Sequence, residues 1–191
     1  MKRFLQEKLL LAKLKSLKQD AFTELYDQYV DRVYRFVYFK VGNAEEAEDL
    51  TSLTFLKTWQ HLSKGELTDS KTLPALVYRV ARNAIIDHYR QKSRVEIVSM
   101  ESPEAEEVQD ATQVIAEHFD QGLQLEQLKN KLGELKDEYR EVIILKYIDE
   151  LSNDEIATIL DKSKGNVRVL IFRATQALRD LVEPATKSKK Q

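Results

Sequence analysis

Very few residues in this chain can interrupt a helix, and that scarcity limits the folds it can adopt. The 191 residues include only five Gly and three Pro, which are the residues that most often punctuate turns and short strands. Apolar residues recur instead every three or four positions, the spacing of a helix face. No strand pattern is present in residues 1–94. The sequence therefore predicts an all-α fold.

The predicted helices form an N-terminal and a C-terminal group. Gly42 ends the first long helix, and Asn43 caps the next one with Glu46 in the capping-box position. Residues 1–19 indicate a short amphipathic helix, because lysines interrupt the apolar run that a signal peptide would need. The other helices are expected at about 20–40, 43–61, 73–92, 121–133, 135–149, 153–160 and 164–182.

Charge is distributed unevenly along the chain, although the net charge is only −2. Residues 1–94 carry 17 basic against 12 acidic side chains, whereas residues 95–126 carry nine acidic side chains and no basic one. This asymmetry predicts two small helical domains joined by a flexible acidic linker. The expected bounds are domains 1–94 and 121–183, linker 95–120 and tail 184–191. A merely solvated linker and a functional one both remain open.

The composition excludes several classes of site. There is no Cys, so disulfides and thiolate metal sites are impossible and a reducing cytosol is compatible. His61, His88 and His118 lack metal-site spacing, and no Gly-rich phosphate loop, nucleophile triad or paired-carboxylate constellation is present. No uncharged apolar stretch approaches the roughly 20 residues that span a bilayer. We therefore expect a cytoplasmic protein without membrane insertion, cofactor, metal, catalytic residue or small-molecule substrate.

A helix-turn-helix is predicted near the C-terminus. Ser152 and Glu155 form a capping box, with Leu151 and Ile156 at the hydrophobic-staple positions. A short turn follows, where Asp161 tolerates a left-handed backbone. Val167, Ile171, Ala174 and Leu178 give the second helix its core stripe. Its outward face carries groups suited to a DNA major groove, namely Lys164, Asn166, Arg168, Phe172 and Arg173. Spacing alone also permits a plain helical hairpin with a charged solvent face.

Two helices of the N-terminal group are also candidates for binding. In helix 43–61, the apolar residues spread around most of the circumference, so this helix is either central to its domain or covered by a partner. Helix 73–92 presents one face that suits nucleic acid: Arg79, Arg82, Asn83, Ile86 and Arg90. An ordinary solvated face remains the alternative. The loop 62–72 precedes this face and could close over a base.

Taken together, the two groups resemble the extracytoplasmic-function (ECF) sigma factors of the sigma-70 family. Residues 21–92 resemble region 2 through AEEAEDLTSLTFLKTW (44–59) and LVYRVARNAIIDHYRQK (76–92). Residues 129–182 resemble region 4 through LKDEYREVIILKYIDELSNDEIATILDKSKGNVRVLIFRATQALRDL (135–181). Both occur in family order, with a linker between them.

The resemblance implies a non-enzymatic factor that binds core RNA polymerase and directs transcription initiation at promoters. Region 2 would bind the polymerase through Asp49, Leu50, Phe55 and Trp59. Helix 73–92 and its loop would capture a flipped base of the −10 element near Asn83, and the helix-turn-helix would read the −35 element with Arg168 and Arg173. The acidic linker would run along the polymerase's RNA path, and an anti-sigma factor is an expected partner.

The chain departs from the family pattern at several positions. Val169 and Leu170 stand where relatives often carry Ser and Arg, which predicts fewer polar contacts to the −35 element. Leu73 to Val77 replace a common Phe-x-x-Trp-Leu, and residues 1–19 have no clear counterpart. Two alternatives are a free-standing helix-turn-helix regulator, which would not need helix 43–61, and a helical protein-interaction adaptor, which would leave the arginine face unexplained.

Overall fold

The computed structural model describes residues 9–14, 16, 19–64, 72–98 and 122–182, with backbone alone at 19, 93–98 and 122–127. Every regular element within these ranges is helical, which confirms the all-α prediction. None of the helices described here has the length and apolar character needed to cross a membrane. The predicted linker beyond residue 98, the predicted tail and most of the loop before the arginine face lie outside the described residues.

The N-terminal unit, as we call residues 9–98, contains three long helices. They are α1 (Gln19–Val41), α2 (Ala44–Ser63) and α3 (Leu73–Val98). Residues 9–14 are also helical, and Leu10 and Leu14 lie buried one turn apart. Helix α2 packs against both of its neighbours, so the structure shows the first of the two alternatives, a helix central to its unit.

The C-terminal unit, residues 122–182, begins with α4 (Gly122–Gly133) and α5 (Asp137–Ile143). The helix-turn-helix follows as α6 (Asn153–Leu160) and α7 (Lys164–Val182). Helix α7 packs along α5 and α6, with Val167, Leu170 and Ala174 buried.

Local capping residues set the helix ends where the sequence places them. Gly42 adopts φ +79°, a left-handed conformation that Gly tolerates at a helix end. Asp161 also turns left-handed, with φ 52° and ψ 47°, so the chain reverses between α6 and α7. At Asn43 only half of the predicted capping box forms, because its side chain accepts a hydrogen bond from the Glu46 amide while the Glu46 carboxylate binds His88 and Lys92.

The complete capping box at Ser152 leads to a stability prediction. Its hydroxyl accepts a hydrogen bond from the Glu155 amide, and the Glu155 carboxylate accepts one from the Ser152 amide at 2.8 Å. We expect Ser152→Ala to lower the free energy of unfolding by about 1 kcal/mol in urea titrations, because the Glu155 amide at the start of α6 loses its side-chain acceptor. Ser52→Ala, at an exposed position inside α2, controls for the substitution itself. An equal effect in both variants would contradict a role of the cap.

Two helices differ from their predicted lengths. Helix α3 extends to Val98, beyond the predicted end of the first domain at residue 94. The predicted helix 135–149 is α-helical only to Ile143 and continues as a π-helix over Ile144–Ile148. The wider π turn lets consecutive apolar residues 142–145 all face the core, and it directs Asp149 inward as well.

The two units share one continuous apolar core. Helix α3 packs along α6, and α1 contacts α4, α5 and the π-helix. The structure contains both helical units expected from the sequence. It also brings them into contact. This contact places charged residues of one unit directly against charged residues of the other.

Candidate nucleic-acid interface

Helix α7 exposes the face that the sequence predicted for DNA. Lys164, Asn166, Arg168 and Arg173 are exposed, and 71% of Phe172 is accessible to solvent. The Ser163 hydroxyl accepts a hydrogen bond from the Asn166 amide and thereby caps the helix. The predicted residues thus occupy one continuous surface, and the start of α7 lies at one end of this surface.

The two apolar departures on α7 differ from each other in position. Leu170 is buried in the core between Val167 and Ala174, so it offers no contact to the DNA-facing surface, and the expectation of fewer polar contacts there stays a prediction. Val169 lies on the outward side, with 49% of its area exposed, next to Phe172 one turn further. The exposed surface therefore combines basic groups with an apolar pair.

On α3, the five predicted residues share one side of the helix but differ in accessibility. Asn83 and Arg90 are exposed, while Arg79 and Ile86 are half-buried. Arg90 lies 3.8 Å from Asp87 and lines a groove of about 390 Å³ between α2 and α3. Arg82 is partly exposed, and its Nε donates a hydrogen bond at 3.0 Å to the Glu141 carboxylate of the C-terminal unit.

Other basic residues of the N-terminal unit also contact acids of the C-terminal unit. The Lys40 ammonium lies 2.6 Å from Asp137 Oδ1. The guanidinium of Arg32 donates to the backbone oxygen of Asp149 at 2.5 Å. In the reverse direction, Lys129 donates to the Gly42 carbonyl at 2.8 Å.

Asp149 is the most enclosed of these acids. Its carboxylate is buried, with nitrogens of Arg32 and Arg35 each 4.0 Å from Oδ1. Burial raises the pKa of Asp149 to about 6, against the opposing effects of Arg32, Tyr78 and Arg35. Burial likewise raises the pKa of Glu141, although Lys40 and Arg82 oppose the change. Both carboxylates therefore lose hydration when the units are in contact, which disfavours their charged form.

The buried face of α2 is partly polar, which accounts for the spread of its apolar residues around the helix. Three of its seven buried residues are threonines, and the hydroxyls of Thr54 and Thr58 donate to backbone oxygens one turn earlier. Because polar threonines occupy part of the core face, hydrophobicity does not mark that face in the sequence. Leu50 and Phe55, predicted to bind a partner, belong to this core. Asp49 is exposed.

A second, apolar side of α2 is left at the surface. Trp59 is half-buried against Phe22 of α1, with ring centroids 5.0 Å apart. Leu56 is 53% exposed and Tyr26 is 43% exposed. We call Tyr26, Leu56 and Trp59 the α1/α2 patch. The sequence pattern identified Trp59 but missed Tyr26 and Leu56 as exposed partners, since their accessibility depends on how α1 and α2 cross.

Within the described ranges, no group of three or more His, Cys, Asp or Glu residues is arranged to hold a metal ion. His88 lies partly exposed and contacts Glu46 Oε2 at 3.2 Å. Burial acts to raise the pKa of Glu46, but the hydrogen bonds and charges of Lys92 and His88 outweigh it and lower the pKa. The arrangement is that of an ion-paired surface between α2 and α3.

Comparison with known families matches both units. The family described as Sigma-70 region 2 matches residues 25–95, and the family described as Sigma-70, region 4 matches residues 125–178. The ECF RNA polymerase sigma factor SigW of Bacillus subtilis is 33% identical over 182 residues, covering 91% of this chain and 96% of SigW. SigM of the same bacterium is 34% identical over 158 residues, with 83% and 93% covered.

Solved structures of similar fold extend over both units. CnrH in complex with the cytosolic domain of CnrY matches with a TM-score of 0.68 and 24% identity, covering 92% of this chain and 96% of that one. The sigma factor RpoE in complex with the anti-sigma factor NepR, from Bartonella quintana, gives a TM-score of 0.64 and 21% identity, with 84% and 96% covered. At these identities the likeness establishes the fold alone.

Proposed function

Because this chain belongs to the ECF RNA polymerase sigma factors of the sigma-70 family and acts in transcription initiation, we propose that its two units divide promoter reading between them. The C-terminal unit reads the −35 element as a duplex, and the N-terminal unit engages the −10 element and the polymerase. The observation that carries this proposal is the outward face of α7, where Arg168, Phe172 and Arg173 are exposed while the opposite face of the helix is buried.

The −35 surface combines charge with apolar contact. Arg168 and Arg173 can donate to guanine edges or phosphates, and Lys164 and Asn166 lie at the helix start, where backbone amides favour a phosphate. Lys164 pairs at 2.7 Å with Asp154, but both side chains are exposed, so a phosphate can displace this contact. A Cβ on Gly165 would meet only Ser163 Oγ, at 3.9 Å. Intramolecular packing therefore does not require Gly there, which suits close approach of DNA.

Val169 and Phe172 supply the apolar part of this surface. Thymine is the base that presents a methyl group in the major groove, and an exposed valine beside an exposed aromatic ring can contact such a methyl. Relatives often carry a polar group at the position of Val169. At the base that this side chain contacts, we therefore expect this protein to prefer thymine. The promoter sequence therefore cannot be transferred from a relative.

The −10 surface is the side of α3 that carries Arg79, Arg82, Asn83, Ile86 and Arg90. Arginines can neutralise phosphates of a single strand, and an apolar residue such as Ile86 can support an unstacked base. Asn83 and Arg90 are exposed and available to a strand. Arg82 is partly exposed, with its Nε engaged by the Glu141 carboxylate.

Polymerase binding is assigned to the α1/α2 patch together with Asp49. Leu50 and Phe55 support this surface from the core rather than touching a partner, because both are buried. Exposed aromatic and leucine side chains on a rigid base are typical of a protein-binding surface.

The α1/α2 patch leads to a prediction on assembly. We expect wild-type protein to comigrate with purified bacterial core RNA polymerase on a sizing column, and Leu56→Glu to weaken that binding by roughly tenfold or more. Leu9→Glu, at a residue of similar exposure outside the patch, is the matched control. Equal weakening in both variants would exclude the patch as the contact surface. It would not contradict the proposal that the chain binds polymerase. Failure of the wild-type chain to comigrate would instead support a free-standing DNA-binding regulator.

A non-catalytic factor of this kind works where the polymerase is, so we propose that it acts in the cytoplasm. We also propose control by an anti-sigma factor, since the RpoE structure of similar fold contains one. The acidic segment 95–120, of which the structure describes only the backbone of residues 95–98, remains a proposed linker along the polymerase. An interaction adaptor is less favoured, because it gives no reason for the exposed basic face of α7.

A further inference from the structure

Tyr147 is an exposed aromatic side chain that belongs neither to the outward face of α7 nor to the α1/α2 patch. It lies in the π-helix, and 54% of its area is accessible to solvent. We propose that its phenol donates a hydrogen bond to a phosphate of the −35 duplex, at the edge of the groove that α7 enters. This inference rests on the proposed function, because it takes α7 to be the helix that reads DNA.

A hydrogen bond fixes the place of Tyr147 beside α7. Its hydroxyl lies 3.2 Å from Oγ1 of Thr175, which comes two turns after Arg168 and one turn after Phe172. Residues separated by four and then three positions are neighbours on the surface of a helix, so Thr175 continues the row formed by the exposed Arg168 and Phe172. Tyr147 therefore borders the face of α7 that is proposed to meet DNA.

The width of the major groove determines what a residue beside α7 can reach. A helix with its side chains is about 10–12 Å across, and the groove is about 12 Å wide. When α7 fills the groove, an element at its side meets the rim, where the phosphates lie. Helix α5 packs along α7, and the π-helix continues directly from α5. A side chain from this direction that points to solvent therefore faces the sugar-phosphate backbone and not the base edges.

The directions of the hydrogen bonds identify the phenol as a donor. The Thr175 hydroxyl has a single hydrogen, which it donates to the Ile171 carbonyl at 2.8 Å. The bond between the two hydroxyls must therefore use the hydrogen of Tyr147, with Thr175 Oγ1 as the acceptor. A phosphate oxygen carries charge and accepts a stronger hydrogen bond than a neutral hydroxyl does. DNA binding would therefore move this hydrogen bond from Thr175 to the phosphate.

A contact of this kind has a signature that differs from that of an arginine. Hydrogen bonds from tyrosine to phosphate fix the position of a protein on the duplex but carry no information on base sequence. A neutral phenol also displaces no condensed counterion. Removing the Tyr147 hydroxyl should therefore lower affinity by one factor for all base sequences, without changing the dependence of affinity on salt.

The test compares Tyr147→Phe with Thr175→Val in the full chain bound to core polymerase. Affinity is measured by fluorescence anisotropy, at several salt concentrations, for a duplex selected by that complex and for its single-base-pair variants. We expect Tyr147→Phe to weaken binding to all these duplexes roughly tenfold. Thr175→Val removes the intramolecular acceptor but keeps the phenol, so it should bind at least as tightly as wild type. Tyr139→Phe, at a half-buried tyrosine of α5, is the matched control.

Several outcomes would overturn the inference. One is wild-type affinity in Tyr147→Phe, and another is an equal loss in Tyr139→Phe. A loss in Thr175→Val as large as that in Tyr147→Phe would mean that the tyrosine only holds α7 in place. A changed base preference in Tyr147→Phe would mean that it reads a base. The Arg168→Ala, Arg173→Ala double variant tests the proposed function separately: if it weakens binding and Tyr147→Phe does not, only the inference fails, and if it does not, the assignment of α7 fails.

Discussion

Replacing Arg168 and Arg173 together by alanine is expected to reduce affinity for a −35 duplex by about 100-fold or more. An arginine that reads a base contributes about 1–3 kcal/mol, and a tenfold change in affinity corresponds to about 1.4 kcal/mol. Both side chains are exposed on α7, beside the exposed Phe172. Neither contributes to the buried face of the helix, so the fold should tolerate the change.

The measurement uses the full chain bound to core polymerase and a duplex selected by that complex from a random pool. Arg179→Ala, about three turns further along α7 and also exposed, is the control for removing one positive charge. A base-reading arginine should also relax the preference at one position, whereas a phosphate-binding one lowers affinity for all sequences and reduces the salt dependence. Unchanged affinity in the double variant would mean that this helix does not read DNA.

The helix-turn-helix illustrates what local sequence determines. Ser152 and Glu155 form their capping box within four residues, and Asp161 takes the left-handed turn with no help from distant contacts. Interactions of this range depend only on neighbours in the chain, so the sequence predicts them directly. The same reasoning placed Lys164, Arg168 and Arg173 on one exposed face.

Positions that depend on how helices pack together were harder to predict. Leu170 turned out to be buried because α7 packs on α5 and α6 along a wider stripe than the predicted one. The core face of α2 was hidden by its threonines, whose hydroxyls are satisfied within the helix. Hydrophobicity alone cannot identify such a face, and it cannot distinguish the buried Phe55 from the exposed Leu56 beside it.

Contacts between the two units could not have been predicted from the sequence pattern. Glu141 and Asp149 are ordinary acids in a charged chain, and their burial depends on partners 59 and 117 positions away. The π turn at Ile144–Ile148 directly precedes Asp149. The spacing of its apolar residues does not distinguish it from an α-helix. These long-range features are the ones that join the two units.

The second large effect is a pH dependence that originates at Asp149. Burial raises the pKa of this carboxyl from 3.8 to about 6, against Arg32, Tyr78 and Arg35. An acid with a raised pKa in the folded state stabilises that state when protonated, so its contribution is present below the unfolded pKa and lost as pH rises through the folded one. Between about pH 4 and pH 7, Asp149 should therefore lower the free energy of unfolding by about 3 kcal/mol.

Comparison with Asp149→Asn isolates this contribution, because the amide is neutral at every pH while the bond from Arg32 to the backbone oxygen of residue 149 can persist. Urea unfolding of both proteins across this range should show the variant gaining stability over wild type as pH rises, with Asp154→Asn as an exposed control. Glu141 changes stability in the same direction but is present in both proteins, so its effect cancels in the difference. Parallel curves for wild type and Asp149→Asn would mean that the carboxylate is hydrated in solution. Since Arg32 and Arg35 of α1 and Tyr78 of α3 lie against this carboxylate, that result would also indicate that the two units are apart.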